Sequence, residues 1–208
     1  MNTLTGLFAR FDPDTGVIEG GDITTRRLSD LRMAFARPEE VDAALKTGDP
    51  VIYTVSSVQT ASGEGQLHYG AGCIMPGRIG DEYHLTKGHL HSWRPAAEVY
   101  IGVRGYGKMI LQEESSGKTV VLDLLPNTTV YVPGGTAHRT VNVGDVPLTY
   151  LGVYPAAAGH DYSPLVGWNF SQVIIARNGK PVSVDRSDYL TTRARQGNTR
   201  TQTRSREQ

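Results

Sequence analysis

From Asp49 onward, short apolar and β-branched runs alternate with polar or glycine-rich breaks, the pattern of short strands joined by turns. The first two runs cover 51–58 and 66–75, the second stopping at Pro76-Gly77. Further strands are predicted over 82–90 and 98–103, and a hairpin over 108–112 and 119–124 turns around Ser115-Ser116-Gly117. Runs at 128–132, 140–143, 148–154, 172–177 and 181–184 complete the series. Regularly spaced short strands predict an all-β closed barrel or sandwich, not a parallel α/β sheet.

The chain before Asp49 reads differently. Phe11-Asp12-Pro13-Asp14-Thr15-Gly16 is a turn leading into a short Val17-Ile18 strand. Leu28, Leu31, Met33 and Phe35 recur at mixed helical spacing and predict a helix over 26–36, with Ser29 or Thr25 as its cap. A second helix is predicted over 39–46, with Pro38 near its first position. This divides the chain into an N-terminal strand and helical layer (1–48), a barrel (49–186) and a polar tail (187–208). From Thr191 the tail is almost without apolar residues, so it buries too little surface to offset its chain entropy, and disorder is expected.

Composition narrows the partners. Lys plus Arg and Asp plus Glu both number 21, so no global field attracts nucleic acid or a membrane surface. A single cysteine, Cys73, excludes an internal disulfide framework and suits a reducing compartment. Met1 to Arg10 lacks the long apolar core of a leader, and no run is long enough to span a bilayer. A cytoplasmic protein is expected. The 24 glycines and 11 prolines are spread among the apolar runs, in keeping with many tight turns.

The chemistry concentrates in Thr86-Lys87-Gly88-His89-Leu90-His91, then Glu98, then His138 after the turn Val132-Pro133-Gly134-Gly135. His89 and His91 lie two apart, so on a strand their imidazoles share a face. Alone, such a pair reads better as solvated or hydrogen-bonded. With Glu98 and His138 at their spacing, three imidazoles and one carboxylate suit a divalent transition metal that keeps positions open for substrate. Fe2+ is the expected ion, one per chain, with Mn2+, Ni2+ or Zn2+ compatible with the same ligands.

These patterns resemble the paired metal motifs of cupins, small jelly-roll β-barrels. The resemblance extends to the cupin-type glucose-6-phosphate isomerases first known from archaea. It is carried by Asp14-Thr15-Gly16-Val17-Ile18-Glu19-Gly20, Arg26-Arg27-Leu28-Ser29-Asp30 and the run from Thr86 to His91. Ala97-Glu98-Val99-Tyr100, His138-Arg139-Thr140-Val141-Asn142 and the segment from Tyr154 to Tyr162 continue it. The resemblance implies a cupin jelly-roll, a homodimer, His89, His91, Glu98 and His138 as ligands, and interconversion of glucose 6-phosphate and fructose 6-phosphate in glycolysis and gluconeogenesis. It also implies that Tyr154, His160 and Tyr162 line the substrate pocket, with Tyr154 and His160 assisting catalysis.

Aldose–ketose isomerisation needs a group to move the C–H hydrogen, polarisation of the carbonyl and a grip on the phosphate. Glu98 is the candidate proton carrier, and a metal can hold the two reacting oxygens. Tyr100, two residues from Glu98, shares its face. Thr86 and Gly88 offer a hydroxyl and backbone N–H groups to a phosphate. The chain departs from the family at Ala71-Gly72, where relatives carry a threonine pair, one of which helps bind phosphate. Losing one hydroxyl bond to a charged group costs about 1.5–3 kcal/mol, so weaker phosphate binding is expected, with an outward opening at Gly135-Thr136. Two other readings share the metal site: a cupin dioxygenase using Fe2+, and a non-catalytic sugar-phosphate-binding cupin. His68 and His84 are given no function.

Overall fold

A computed structural model describes residues 8–163, 165 and 169–192. Thirteen strands form its framework: β1 Asp22–Arg27, β2 Val51–Val58, β3 Leu67–Ile74, β4 Arg78–Ile79, β5 Glu82–Tyr83, β6 Glu98–Arg104 and β7 Gly107–Glu113. They continue as β8 Thr119–Leu124, β9 Thr129–Val132, β10 Thr136–Asn142, β11 Leu148–Pro155, β12 Gln172–Arg177 and β13 Lys180–Asp185. One wall is an antiparallel six-stranded sheet in the order β1-β2-β3-β11-β6-β9. The other combines a four-stranded sheet, β13-β12-β5-β4, with a three-stranded one, β10-β7-β8. Single bridges, Leu85 to Val141 and His89 to His138, tie the segment after β5 to β10 and join these two pieces. Strands distant in sequence lie side by side, β11 between β3 and β6, which is the wrapping of a jelly-roll.

The strands alternate as half-buried strands must. In β6, Glu98, Tyr100 and Gly102 are buried and the residues between them less so. Between the walls lies one apolar core that includes Ile52, Ile74, Leu85, Leu90, Met109, Leu124, Leu148 and Phe170. Leu28, Leu31, Phe35 and Val41 belong to this same core, so the N-terminal layer and the barrel share it. β1 also pairs in register with β2, Arg26 opposite Tyr53.

The helix expected over 26–36 does not form. Its first residues complete β1, and Leu28–Leu31 make a single 3-10 turn. The Arg27 N–H donates to the Asp30 carboxylate, the Leu28 N–H to the Pro50 carbonyl, and Ser29 bonds Asp49 through both N–H and hydroxyl. Short polar side chains thus offer the backbone a better arrangement than a helix. Leu28, Leu31 and Phe35 are buried as the spacing implied, whereas Met33 is 64% exposed. The second helix, α1 Pro38–Leu45, stands as expected with proline at its start.

The strand expected over 82–90 is short too. Glu82–Tyr83 pair, after which only isolated bridges follow, because Gly88 takes φ 75° and turns the chain. A side chain at Gly88 would also meet the Phe170 ring at 2.7 Å. At the other end, order continues past residue 186: residues 186–192 are helical, and Tyr189, 5% exposed, packs with Ala36, Val173 and Ile175. Residues 187–192 of the expected polar tail are therefore part of the structure, and the remainder of that tail lies outside the described residues. Among the described residues no helix is long and apolar enough to cross a membrane.

Candidate metal centre and substrate pocket

His89 and His138 face each other across their bridge through reciprocal backbone bonds, His89 N–H to His138 O at 3.2 Å and His138 N–H to His89 O at 3.0 Å. This pairing brings their rings to 4.2 Å between centroids, and the His91 ring lies 5.4 Å from His89 and 5.3 Å from His138. Glu98, the first residue of β6, completes the group: one ligand atom from each of the four residues lies within 4.8 Å of the others.

The ring orientations are set from outside. His91 Nδ1 lies 3.0 Å from the Ala96 carbonyl and His138 Nδ1 3.2 Å from the Thr136 carbonyl. A carbonyl only accepts, so both rings donate from Nδ1 and direct Nε2 inward. His89 Nε2 is buried without a hydrogen-bond partner among the described residues. Glu98 Oε2 sits 3.3 Å from His91 Nε2 and 3.1 Å from His138 Nε2.

The protonation states match this arrangement. Burial alone would raise the Glu98 carboxyl, but the bonds to His138 and His91 and their charge hold it at about 2. Burial, with His138, His160 and His91 nearby, drives His89 well below the usual imidazole range. Burial acts against a proton on His91 as well, yet Glu98 and the Ala96 carbonyl raise it overall. Three inward-facing imidazoles and a fixed carboxylate converge on one point. That donor set fits a divalent transition metal held by His89, His91, Glu98 and His138.

A cavity of about 260 Å³ opens onto this cluster. Thr86, Gly88, Tyr100, Tyr154, His160 and Tyr162, expected at the site from the sequence, all line it beside His89, Glu98 and His138. His91 completes the ligand group without lining the cavity. The His160 ring is 4.3 Å from that of His89, stacks on Tyr162 at 6.2 Å and meets Tyr154 edge-on at 6.2 Å. Burial lowers His160, so it is neutral in the ordinary pH range. Burial and the adjacent Glu98 carboxylate raise Tyr100 and Tyr154, which therefore keep their hydroxyl protons. The Thr86 hydroxyl already accepts the Thr140 N–H at 3.1 Å and remains a donor toward the cavity. His68 and His84, given no function, bond the Ala61 and Met75 carbonyls.

Two expectations are corrected here. Ala71 and Gly72 both line the cavity, Ala71 also packing with Ile18 and Val58. The space beside Gly72 is filled: a Cβ there would lie 2.2 Å from Cζ of Tyr150, its cross-strand neighbour. The glycine is matched to the tyrosine instead of leaving a gap. Gly135 and Thr136 do not line the cavity, so they widen no mouth. Sequence reading missed Arg26, Tyr53, Lys87 and Tyr150, which do line it. For Arg26, Tyr53 and Tyr150 the signal was their positions on β1, β2 and β11, visible only once the register is known.

The barrel and its histidine–carboxylate group define a cupin with a metal-type centre. The model of the family "Glucose-6-phosphate isomerase (GPI)" matches residues 25–192. A glucose-6-phosphate isomerase of Pyrococcus horikoshii is 42% identical over 179 residues, 86% of this chain and 94% of that one. That of Thermococcus litoralis is 40% identical over 85% of this chain and 92% of its own. One from Sinorhizobium medicae is 33% identical over 74% and 72%. A solved oxalate oxidase aligns at 17% identity, TM-score 0.45, over 55% of this chain and 56% of its own. The chain belongs to the glucose-6-phosphate isomerase family.

Proposed function

We propose that this protein interconverts glucose 6-phosphate and fructose 6-phosphate, with one divalent metal per chain held by His89, His91, Glu98 and His138. Family membership supports the reaction. The observation that carries the metal is the buried His89 Nε2, without a hydrogen-bond partner among the described residues, gathered in one ligand group with His91, His138 and the ionised Glu98 carboxylate. A bound metal would polarise the substrate carbonyl and stabilise charge on the two neighbouring oxygens.

The chain's own groups handle the rest. The sugar enters a cavity lined by hydroxyls and imidazole, and Tyr100 and Tyr154 donate hydrogen bonds to its oxygens. His160, neutral and beside His89, accepts and returns an oxygen-bound proton during ring opening. Glu98 carries the hydrogen between C1 and C2 when its carboxylate faces the substrate, a contribution of about 10²–10⁴-fold. Thr86 and Gly88 hold the phosphate, and Tyr162 packs over the sugar's path between them and the centre. Fe2+ is the proposed ion, with Mn2+, Ni2+ and Zn2+ as alternatives suited to the same donors. A cytoplasmic protein acting on a small sugar phosphate, without nucleic acid or membrane, fits the zero net charge and single cysteine, and a homodimer is proposed from the family resemblance.

A coupled assay of fructose 6-phosphate conversion, run on chelated protein reloaded with individual metals, tests the proposal. Turnover restored by at least one metal is expected; a metal-replete protein that converts no hexose phosphate would overturn it.

A further inference from the structure

Arg26 is the one arginine of the described residues that lines the cavity. Arg32 pairs with Asp42, Arg94 with Glu114 and Asp161, and Arg104 with Asp14. Arg26 makes no ion pair among the described residues; its bond is a long one, 3.5 Å from Nη1 to the Thr25 carbonyl. It is half-buried and lines the cavity that leads to His89, His138 and Glu98. Its charge is felt by two tyrosines of that cavity, Tyr53 and Tyr162, in each case against the effect of burial. Lys87 Nζ lies 4.5 Å above the Tyr162 ring, so two cations flank the same aromatic group. Glu98 is the one acid among the described lining residues, and His91 and His138 engage it.

Resting on the isomerase reading above, we propose that Arg26 binds the substrate's phosphate and selects phosphorylated over free sugars. The sugar phosphate then lies with its phosphate toward β1 and its carbonyl end toward the imidazoles. β1 is the edge strand of the wall, and β6, which carries Glu98, is four strands away in its order. A phosphorylated hexose is the kind of ligand that needs a cation at one end of a cavity and open coordination positions at the other.

Arg26 suits this task better than Lys87. A guanidinium presents a planar fork that matches two phosphate oxygens, while an ammonium is a point charge. Arg26 stands on a strand paired residue by residue from Asp22 with Ser57 to Arg26 with Tyr53. Lys87 is exposed on the irregular segment before His89.

The test compares Arg26→Gln, Arg26→Lys and Lys87→Gln in metal-replete protein. The readouts are fructose 6-phosphate kinetics and calorimetric binding of inorganic phosphate. Arg26→Gln should raise KM about ten- to hundredfold with kcat little changed, the loss expected for one hydrogen-bonded charge pair. Its phosphate affinity should fall alongside, Arg26→Lys should recover part of both, and Lys87→Gln should change KM less. Parental KM and parental phosphate affinity in Arg26→Gln would overturn the proposal, as would a fall in kcat with KM unchanged. Should that variant fail to fold, Arg26→Lys decides, because loss of the fork alone should raise KM several-fold. Failure of the isomerase reading is distinguishable: if the parent turns over no sugar phosphate, phosphate bound by the parent and lost in Arg26→Gln still supports the Arg26 site. Phosphate bound by neither, or equally by both, overturns it.

Discussion

His138 and Arg139 are neighbours on β10, both buried, and their side chains leave opposite faces of the strand to end in two polar clusters of opposite character. The His138 cluster gathers ligand atoms: three imidazole nitrogens and an ionised carboxylate. The Arg139 cluster gathers donors around Glu82. Arg139 bonds the Ala34 and Lys87 carbonyls, Arg186 the Phe35 carbonyl and Arg37 the Tyr189 carbonyl, while Glu82 accepts the Ala36 N–H. One cluster supplies its own cations and joins the N-terminal layer, β10 and the residues after β13. The other holds its carboxylate among imidazoles and faces a cavity. Burial with the partners' lone pairs converging marks a binding site; burial with guanidiniums bonded to backbone carbonyls marks a structural joint.

The largest effects should separate the two clusters. His89→Ala or His138→Ala should abolish turnover and strongly deplete metal, with the metal-free stability little changed, as elemental analysis and chelated melts would show. Arg139→Met should do the reverse. Breaking a buried charge cluster costs about 3–5 kcal/mol, so denaturant unfolding should shift strongly while metal per folded chain is kept. Equal loss of metal in all three variants would erase the distinction.

Glu98→Gln comes next. With metal content matched, kcat should fall about 10²–10⁴-fold while sugar-phosphate affinity moves far less. A variant that keeps metal and turns over at the parental rate would remove Glu98 from catalysis.

Gly72→Thr sharpens the picture of the cavity wall. Read from sequence, restoring a threonine there would tighten phosphate binding; the Tyr150 ring 2.2 Å from the added Cβ reverses that expectation. Overpacking of this kind destabilises by about 1–3 kcal/mol. An undiminished melting temperature together with tighter binding would show that Tyr150 moves aside freely.

The smallest effect is in pH. Burial raises Glu82 from its ordinary 4.5 to about 7, with the Ala36 N–H and nearby arginines opposing. The folded state therefore holds this proton where the unfolded chain has lost it. Glu82's contribution to stability is present below its ordinary value and is lost as pH rises through about 7. Melts of parent and Glu82→Gln, both metal-free, should show a steeper decline in the parent across that window. Parallel curves would mean that the arginines keep Glu82 ionised throughout.

The metal group was legible in the sequence because its chemistry lies in few residues at telling spacings: His89, His91 and Glu98 fall within ten positions. The strand series was legible for a similar local reason, alternation along each run. Arg26 and the Glu82 cluster were not. Each depends on register or packing between segments far apart, Arg26 on its pairing with Tyr53 and Glu82 on Ala36 and Arg139. The helix expected at 26–36 failed because Leu28, Leu31 and Phe35 mark a core-facing segment, which a 3-10 turn satisfies as well as a helix. The match between Gly72 and Tyr150 joins β3 to β11 and needs the sheet order to be seen.

Stepwise addition of Fe2+ to chelated protein under anaerobic conditions, with bound metal and fructose 6-phosphate turnover followed together, tests the metal centre most directly. Binding and activity should rise in parallel and break at one metal per chain, and both responses should vanish in His138→Ala. Full turnover in protein shown to be metal-free, or undiminished loading in His138→Ala and His89→Ala, would contradict it.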